Sequence, residues 1–125
     1  DYQAVYVAIG AQNGKALGLK GEGSQNGDDG LSFLRLVAAK KAPKLGKRVA
    51  VSGGGNTAID AARIARRMGS EVTILYRRSR AEMPAAGREV ELAMEEGVRI
   101  EFLCAPLAFD LNGGKSFKTI RCGRM

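Results

Sequence analysis

The spacing of apolar side chains divides the chain into alternating strands and helices. Short runs rich in β-branched residues indicate buried strands, and apolar residues three and four positions apart indicate amphipathic helices. The clearest helix pattern places Ala58, Ala61, Ala62 and Ala65 on one face. In chain order the pattern predicts a strand at 4–9, a helix at 30–41, a strand at 48–52, a helix at 56–68, a strand at 72–76, a helix at about 86–96 and a strand at 98–103.

The last part of the chain has the pattern of a hairpin. Two strand-like segments, at 106–111 and 117–122, flank the turn sequence Asn112-Gly113-Gly114. Before them, the order β-α-β-α-β with short turns implies a parallel sheet with right-handed crossovers. We therefore expect an α/β fold of the Rossmann type, with helices on both faces of the parallel sheet and a small antiparallel β-hairpin appended.

These elements predict one domain over residues 1–125. Its parts are an interdomain strand and loop at 1–30, a helix and basic linker at 31–47, a βαβαβ core at 48–104 and a hairpin at 105–125. The chain begins without Met, enters an apolar strand almost at once and ends without a polar tail. Because domains usually begin and end in exposed polar segments, we expect a piece of a longer protein.

The amino-acid composition excludes several kinds of catalytic and metal-binding site. The 125 residues contain no histidine, which excludes histidine triads, histidine general bases and histidine-containing metal sites. Cys104 and Cys122 are too few for a zinc site and lie in strand-like stretches, where a thiol usually acts as a small hydrophobe; a buried disulfide is the alternative. We expect no metal site, no catalytic acid–base residue and a reduced, cytoplasmic protein. No apolar run reaches the length of a membrane-spanning helix, so no membrane partner is expected.

A glycine-rich turn joins the strand at 48–52 to the following helix. Its residues match G-x-G-x-x-G/A between a predicted strand and a predicted helix: Gly53, Gly54, Gly55, Asn56, Thr57 and Ala58. Gly53 permits a tight turn, the missing side chain of Gly55 lets a pyrophosphate approach the backbone, and Ala58 lets helix and strand pack closely. The N–H groups at the helix start then meet the phosphates. The pattern predicts a dinucleotide site; a tight turn without a ligand is the alternative.

The end of the strand at 72–76 indicates which dinucleotide. An NAD site usually carries Asp or Glu there for the ribose 2′-OH, yet no carboxylate occurs from Val72 to Ala81. The basic residues Arg77, Arg78 and Arg80 occupy the place instead and suit a 2′-phosphate. The sequence thus predicts NADP(H), with a solvated basic loop as the alternative.

Several segments resemble the NADPH-binding domain of the glutamate synthase small (beta) subunit group, within the FAD-dependent pyridine nucleotide oxidoreductases. They cover nearly the whole chain: 4–11, 17–22, 49–62, 72–80, 82–85, 95–98 and 102–106. Two departures are Ser52, in place of an aliphatic residue, and Lys20, where Pro is common. The group's FAD-binding glycine unit, its cysteine clusters for iron–sulfur centres and its C-terminal flavin motif are missing from this sequence.

The resemblance implies a mechanism in which hydride passes between the nicotinamide and a flavin. It assigns pyrophosphate binding to the glycine loop and 2′-phosphate binding to Arg77, with Arg78 or Arg80 assisting, and it places Ile9 and Gly10 near the dinucleotide or the interdomain hinge. FAD, the flavin-binding domain of the same polypeptide and an electron-transfer partner subunit would belong to the full-length protein. The chain alone should be inactive.

Two other classes of function compete with this interpretation. A non-catalytic Rossmann module that senses redox state would carry the same motifs. The net charge of +7 also suits a nucleic-acid binder. However, the sequence offers no aromatic platform and no recognisable nucleic-acid-binding motif. We expect no nucleic-acid partner.

Overall fold

The computed structural model describes residues 17–20, 29–113 and 116–125. Within them lie the helices α1 (Gly30–Ala38), α2 (Asn56–Arg67) and α3 (Gly87–Glu95), a single 3-10 turn (Arg80–Glu82), and the strands β1 (Arg48–Ser52), β2 (Glu71–Tyr76), β3 (Arg99–Phe102), β4 (Cys104–Asn112) and β5 (Ser116–Arg124). Every element predicted after residue 29 is present, with its ends shifted by a few residues. The strand predicted at 4–9 lies outside the described residues.

The strands form two separate sheets. β1, β2 and β3 are parallel and lie in that order, while β4 and β5 form an antiparallel pair. The expected α/β class, with a parallel sheet and an appended hairpin, is confirmed. The parallel register aligns Ser52 with Leu75, so that β1 and β2 end at the same edge.

The two helices that connect the parallel strands lie close together. Arg63 of α2 forms a salt bridge with Glu89 of α3 at 2.7 Å, so α2 and α3 lie on the same face of the sheet. The strand order explains this arrangement. β1, β2 and β3 follow one another in a single direction, and two right-handed crossovers in the same direction place both helices on one face.

The core lies between these helices and the sheet. The four alanines predicted to share a face of α2 are all buried, and their small side chains let the helix approach the strands closely. Ile59, Val72, Ile74 and Val90 fill the space and are almost fully excluded from solvent.

Three salt bridges connect α2 with α3 and its C-cap residue, Glu96. Beyond its bridge to Glu89, Arg63 reaches Glu96 at 2.7 Å, and Arg67 reaches the same carboxylate oxygen at 2.8 Å. Hydrogen bonds from Arg67 and Arg63 lower the pKa of Glu96 from 4.5 to about 2. The basic last turn of α2 is therefore partly neutralised by this carboxylate.

The hairpin carries both cysteines. Each is a free thiol; Cys104 is half-buried and Cys122 is exposed. Cys122 therefore does not act as the buried hydrophobe that the sequence suggested, because β5 is one strand of a two-stranded sheet that leaves this position open to solvent.

Candidate functional site

The glycine loop and the basic loop lie side by side at one edge of the parallel sheet. The first follows β1 and the second follows β2, and the carboxyl ends of parallel strands meet at the same edge. The N–H of Gly53 donates to the carbonyl of Leu75 at 3.1 Å, which continues the β1–β2 ladder into the turn. This edge is where open α/β sheets bind ligands.

Gly53 makes the turn that the sequence predicted. Its φ is +139°, in the region that favours glycine. A Cβ at Gly53 would lie 3.4 Å from that of Ala58, which is buried. Gly53 and Ala58 thus bring the start of α2 close to the end of β1.

Gly54 is required by a contact that the sequence did not reveal. A Cβ at this position would lie 2.4 Å from Cε2 of Tyr76, whose ring is buried. The carbonyl of Gly54 accepts from the N–H of Ala85 at 3.0 Å, and the Tyr76 hydroxyl donates to the carbonyl of Glu82 at 2.8 Å. The segment after β2 is thereby fixed against the glycine loop.

Gly55 stands in a different environment. It is the N-cap of α2 with φ −87°, a conformation open to any residue, and a Cβ there would meet no atom within 4 Å. Packing among the described residues therefore does not require glycine at this position. The open space lies directly before the first N–H groups of the helix.

The first turn of α2 is suited to an anion. No side chain among the residues that the structure describes caps it, and it contains no acidic residue, so the N–H groups of Asn56, Thr57 and Ala58 are left to a partner outside the helix. The side chains of Asn56 and Thr57 are exposed. However, Oδ1 of Asn56 accepts from the N–H of Ala86 at 3.2 Å, so this side chain holds the segment before α3.

The three arginines after β2 are all exposed. Arg77 directly follows the strand, and Arg80 opens the 3-10 turn. Neither Arg77 nor Arg80 forms an ion pair within the part of the chain that the structure describes. Arg78 lies close enough to Glu82 to contribute to the lowering of its pKa.

A capping box closes the basic loop. The backbone N–H and the hydroxyl of Ser79 donate to Oε2 of Glu82 at 3.0 and 2.9 Å. These bonds, the backbone bond first, lower the pKa of Glu82. The Glu82 carboxylate is thus bound within the turn. The pattern Ser-x-x-Glu at 79–82 was a signal for it in the sequence.

Ile9 and Gly10 lie outside the described residues. Among the residues that are described, no group of three or more side chains could hold a metal ion, and no helix is long and apolar enough to cross a membrane.

Comparison with known proteins gives one family. The family model described as pyridine nucleotide-disulphide oxidoreductase matches residues 1–121. Three curated relatives are the NADPH-Fe(3+) oxidoreductase beta subunit of Geobacter sulfurreducens, 44% identical over 99% of this chain, the NADP(+)-dependent formate dehydrogenase beta subunit of Moorella thermoacetica, 46% over 100%, and the glutamate synthase [NADPH] small chain of Escherichia coli, 35% over 99%. The chain spans only 19%, 18% and 29% of these proteins, respectively.

Solved structures share the fold. Thioredoxin reductase of T. acidophilum superposes with a TM-score of 0.70 over 90% of this chain and 35% of that one, at 21% identity. A ferredoxin reductase of Rhodopseudomonas palustris gives 0.64 over 87% of this chain and 28% of that one, at 17% identity. At these identities the likeness concerns the fold alone.

Proposed function

We propose that this chain, which belongs to the pyridine nucleotide-disulphide oxidoreductase family, is the NADP(H)-binding domain of a flavin-dependent oxidoreductase. The names of all three relatives reported above specify NADPH or NADP(+). The bound nucleotide would supply or accept a hydride at its nicotinamide. The role of this chain would be to hold the phosphates and thereby orient the ring.

The observation that carries the proposal is the open space at Gly55. The fold accounts for glycine at Gly53, through its φ, and at Gly54, through the Tyr76 ring, but not at Gly55. A pyrophosphate that must approach the backbone accounts for the third glycine, because any side chain would occupy its place. The uncapped N–H groups of Asn56 and Thr57 would then bind the phosphate oxygens.

The preference for the 2′-phosphate would come from the loop after β2. Arg77 is exposed at the end of the strand, and the nearby carboxylate of Glu82 is hydrogen-bonded to Ser79. We propose Arg77 as the main 2′-phosphate ligand, with Arg78 or Arg80 assisting. We retain Ile9 and Gly10 as proposed neighbours of the dinucleotide.

Flavin chemistry would need more protein than this chain supplies. The chain spans less than a third of each relative named above. We propose that FAD is held by a flavin-binding domain of the same polypeptide in the full-length protein, with a partner subunit for electron transfer, in the cytoplasm. The 125-residue chain alone should bind nucleotide, carry no yellow flavin and turn over no substrate.

Calorimetric titration with NADPH and with NADH tests the nucleotide assignment. The chain should bind NADPH more tightly than NADH, and Arg77→Ala should weaken NADPH binding at least about tenfold by removing a charge-assisted hydrogen bond, with little effect on NADH. Arg99→Ala is the matched control, since Arg99 is an exposed arginine at the first residue of β3, at the opposite edge of the sheet. Equal affinity for the two nucleotides, or equal losses in the two variants, would refute the role of Arg77.

A second variant tests the glycine loop. Gly55→Ala should leave the fold intact, because its Cβ meets no protein atom. It should weaken the binding of both nucleotides, which share the pyrophosphate. Unchanged affinity for NADPH in a folded Gly55→Ala chain would remove the observation on which the proposed function rests.

A further inference from the structure

The two cysteines of the hairpin lie near each other on its two strands. Cys104 pairs with Arg124, and Cys122 pairs with Pro106, two positions along the same ladder. Since side chains alternate between the two faces of a strand, Cys104 and Cys122 share one face and are diagonal neighbours. The register shifts of the hairpin begin only after Pro106, so this end of the ladder is regular.

The thiols are close enough to influence each other. Cys122 is exposed as a residue, but partial desolvation of its thiol raises its pKa, followed by a hydrogen bond with the Cys104 thiol and by the charge of Cys104. Two-stranded ribbons also twist more strongly than wide sheets, and the twist changes the spacing of diagonal neighbours. Neither thiol is consumed by a disulfide, and neither takes part in the proposed nucleotide site.

The pair is accessible to small solutes. Cys122 is exposed and Cys104 is half-buried. Arg124 lies directly opposite Cys104 in the register and therefore on the same face of the hairpin as the two thiols. The thiolate is the species that attacks a disulfide, and the raised pKa of Cys122 makes this attack slower at neutral pH than that of an ordinary thiol.

We propose that Cys104 and Cys122 are a reversible redox pair that forms an intramolecular disulfide at the end of the hairpin farthest from its turn. The oxidant is a small disulfide such as oxidised glutathione. The Cys122 thiolate attacks it, forming a mixed disulfide and releasing one glutathione thiolate. The Cys104 thiolate then attacks the Cys122 sulfur and releases the second. Overall, two protein thiols lose two electrons and two protons, and one glutathione disulfide becomes two glutathione thiols.

The disulfide would act on the basic loop through the backbone. The N–H of Leu103, next to Cys104, donates to the carbonyl of Arg78 at 3.1 Å, and the carbonyl of Leu103 accepts from the N–H of Met125 at 2.8 Å. A covalent link between β4 and β5 restricts the separation of the strands beside these two bonds. Oxidation should therefore reduce local opening at the point where the hairpin joins the loop after β2.

Mass spectrometry of the 125-residue chain treated with oxidised glutathione tests the proposal. Wild-type chain should become a monomer that has lost two hydrogen atoms, with no free thiol and a cross-linked peptide containing both cysteines, and dithiothreitol should restore it. Cys104→Ser and Cys122→Ser should each retain one glutathione instead. Amide hydrogen exchange at Leu103 and Met125 should slow at least about tenfold on oxidation of the wild type alone.

These measurements test the redox pair and its action on the basic loop independently of nucleotide binding. A wild-type chain that keeps a glutathione on each cysteine, or that forms only intermolecular dimers, would overturn the redox pair. A cross-linked chain with unchanged exchange at Leu103 would overturn its action on the basic loop. Because no nucleotide enters these measurements, failure of the proposed NADP(H) site would leave their outcome unaffected.

Discussion

Replacing Gly54 with alanine tests whether the Tyr76 ring determines the shape of the glycine loop. The new Cβ would lie 2.4, 2.6 and 2.9 Å from three ring atoms, whereas carbon atoms in contact stay about 3.5–4.0 Å apart. The ring is buried, so it must move against the core. Overpacking of this kind costs about 1–3 kcal/mol, and loss of the bond from the Tyr76 hydroxyl to Glu82 adds about 1 kcal/mol. We expect Gly54→Ala to lower the free energy of unfolding by about 2–4 kcal/mol.

Urea denaturation followed by circular dichroism measures this loss. Gly55→Ala is the matched control: the same methyl group is added one residue later, in open space, and stability should change by less than about 1 kcal/mol, because the weaker N-cap is offset by a less flexible unfolded chain. In a Tyr76→Val background the cost of Gly54→Ala should fall below about 1 kcal/mol, since the clashing ring is gone. Equal stability of the two alanine variants, or an undiminished cost in the Tyr76→Val background, would refute the contact as the cause.

Two further changes separate stability from ligand binding. Asn56→Asp keeps an oxygen for the N–H of Ala86 and adds a negative charge at the start of α2, which favours the helix. Urea titration should therefore show unchanged or higher stability, while calorimetry should show NADPH affinity at least about tenfold lower; unchanged affinity would contradict a phosphate at this helix start. The pKa of Glu96 is lowered from 4.5 to about 2, so its stabilising contribution is complete above pH 4.5 and is lost as pH falls towards 2. Glu96→Gln should flatten the decline of unfolding free energy over this window, and a decline as steep as in the wild type would count against the network.

The sequence alone was sufficient to predict the elements that depend on the local pattern of residues. The strand at 48–52, the alanine face of α2 and the hairpin around Asn112 are set by periodicity and turn chemistry within a few residues. The positive φ of Gly53 and the burial of Ala58 also follow from local pattern, because a strand-turn-helix of this length leaves few alternatives. The family resemblance supported the same elements over nearly the whole chain, which periodicity alone did not.

What the sequence could not supply depends on contacts between distant segments. Nothing local shows that Tyr76 lies under Gly54, or that Asn56 is bonded to Ala86, since both contacts follow from the path of the chain after β2. The side of the sheet taken by α3 is also beyond a local pattern. It depends on the spatial order of the strands, which a one-dimensional pattern does not contain.

The salt bridges between α2 and α3 also affect how the binding of a ligand should depend on salt concentration. Arg67 is eleven positions beyond Asn56 on the same helix, about 16 Å along the axis at 1.5 Å per residue. At physiological ionic strength, charge is screened over about 8 Å. Arg67, already neutralised in part by Glu96, is therefore electrically remote from the glycine loop. The overall charge of +7 overstates the field that an anion meets there. The ionic-strength dependence of nucleotide binding should instead reflect only the few Lys and Arg side chains that lie within about 8 Å of the glycine loop.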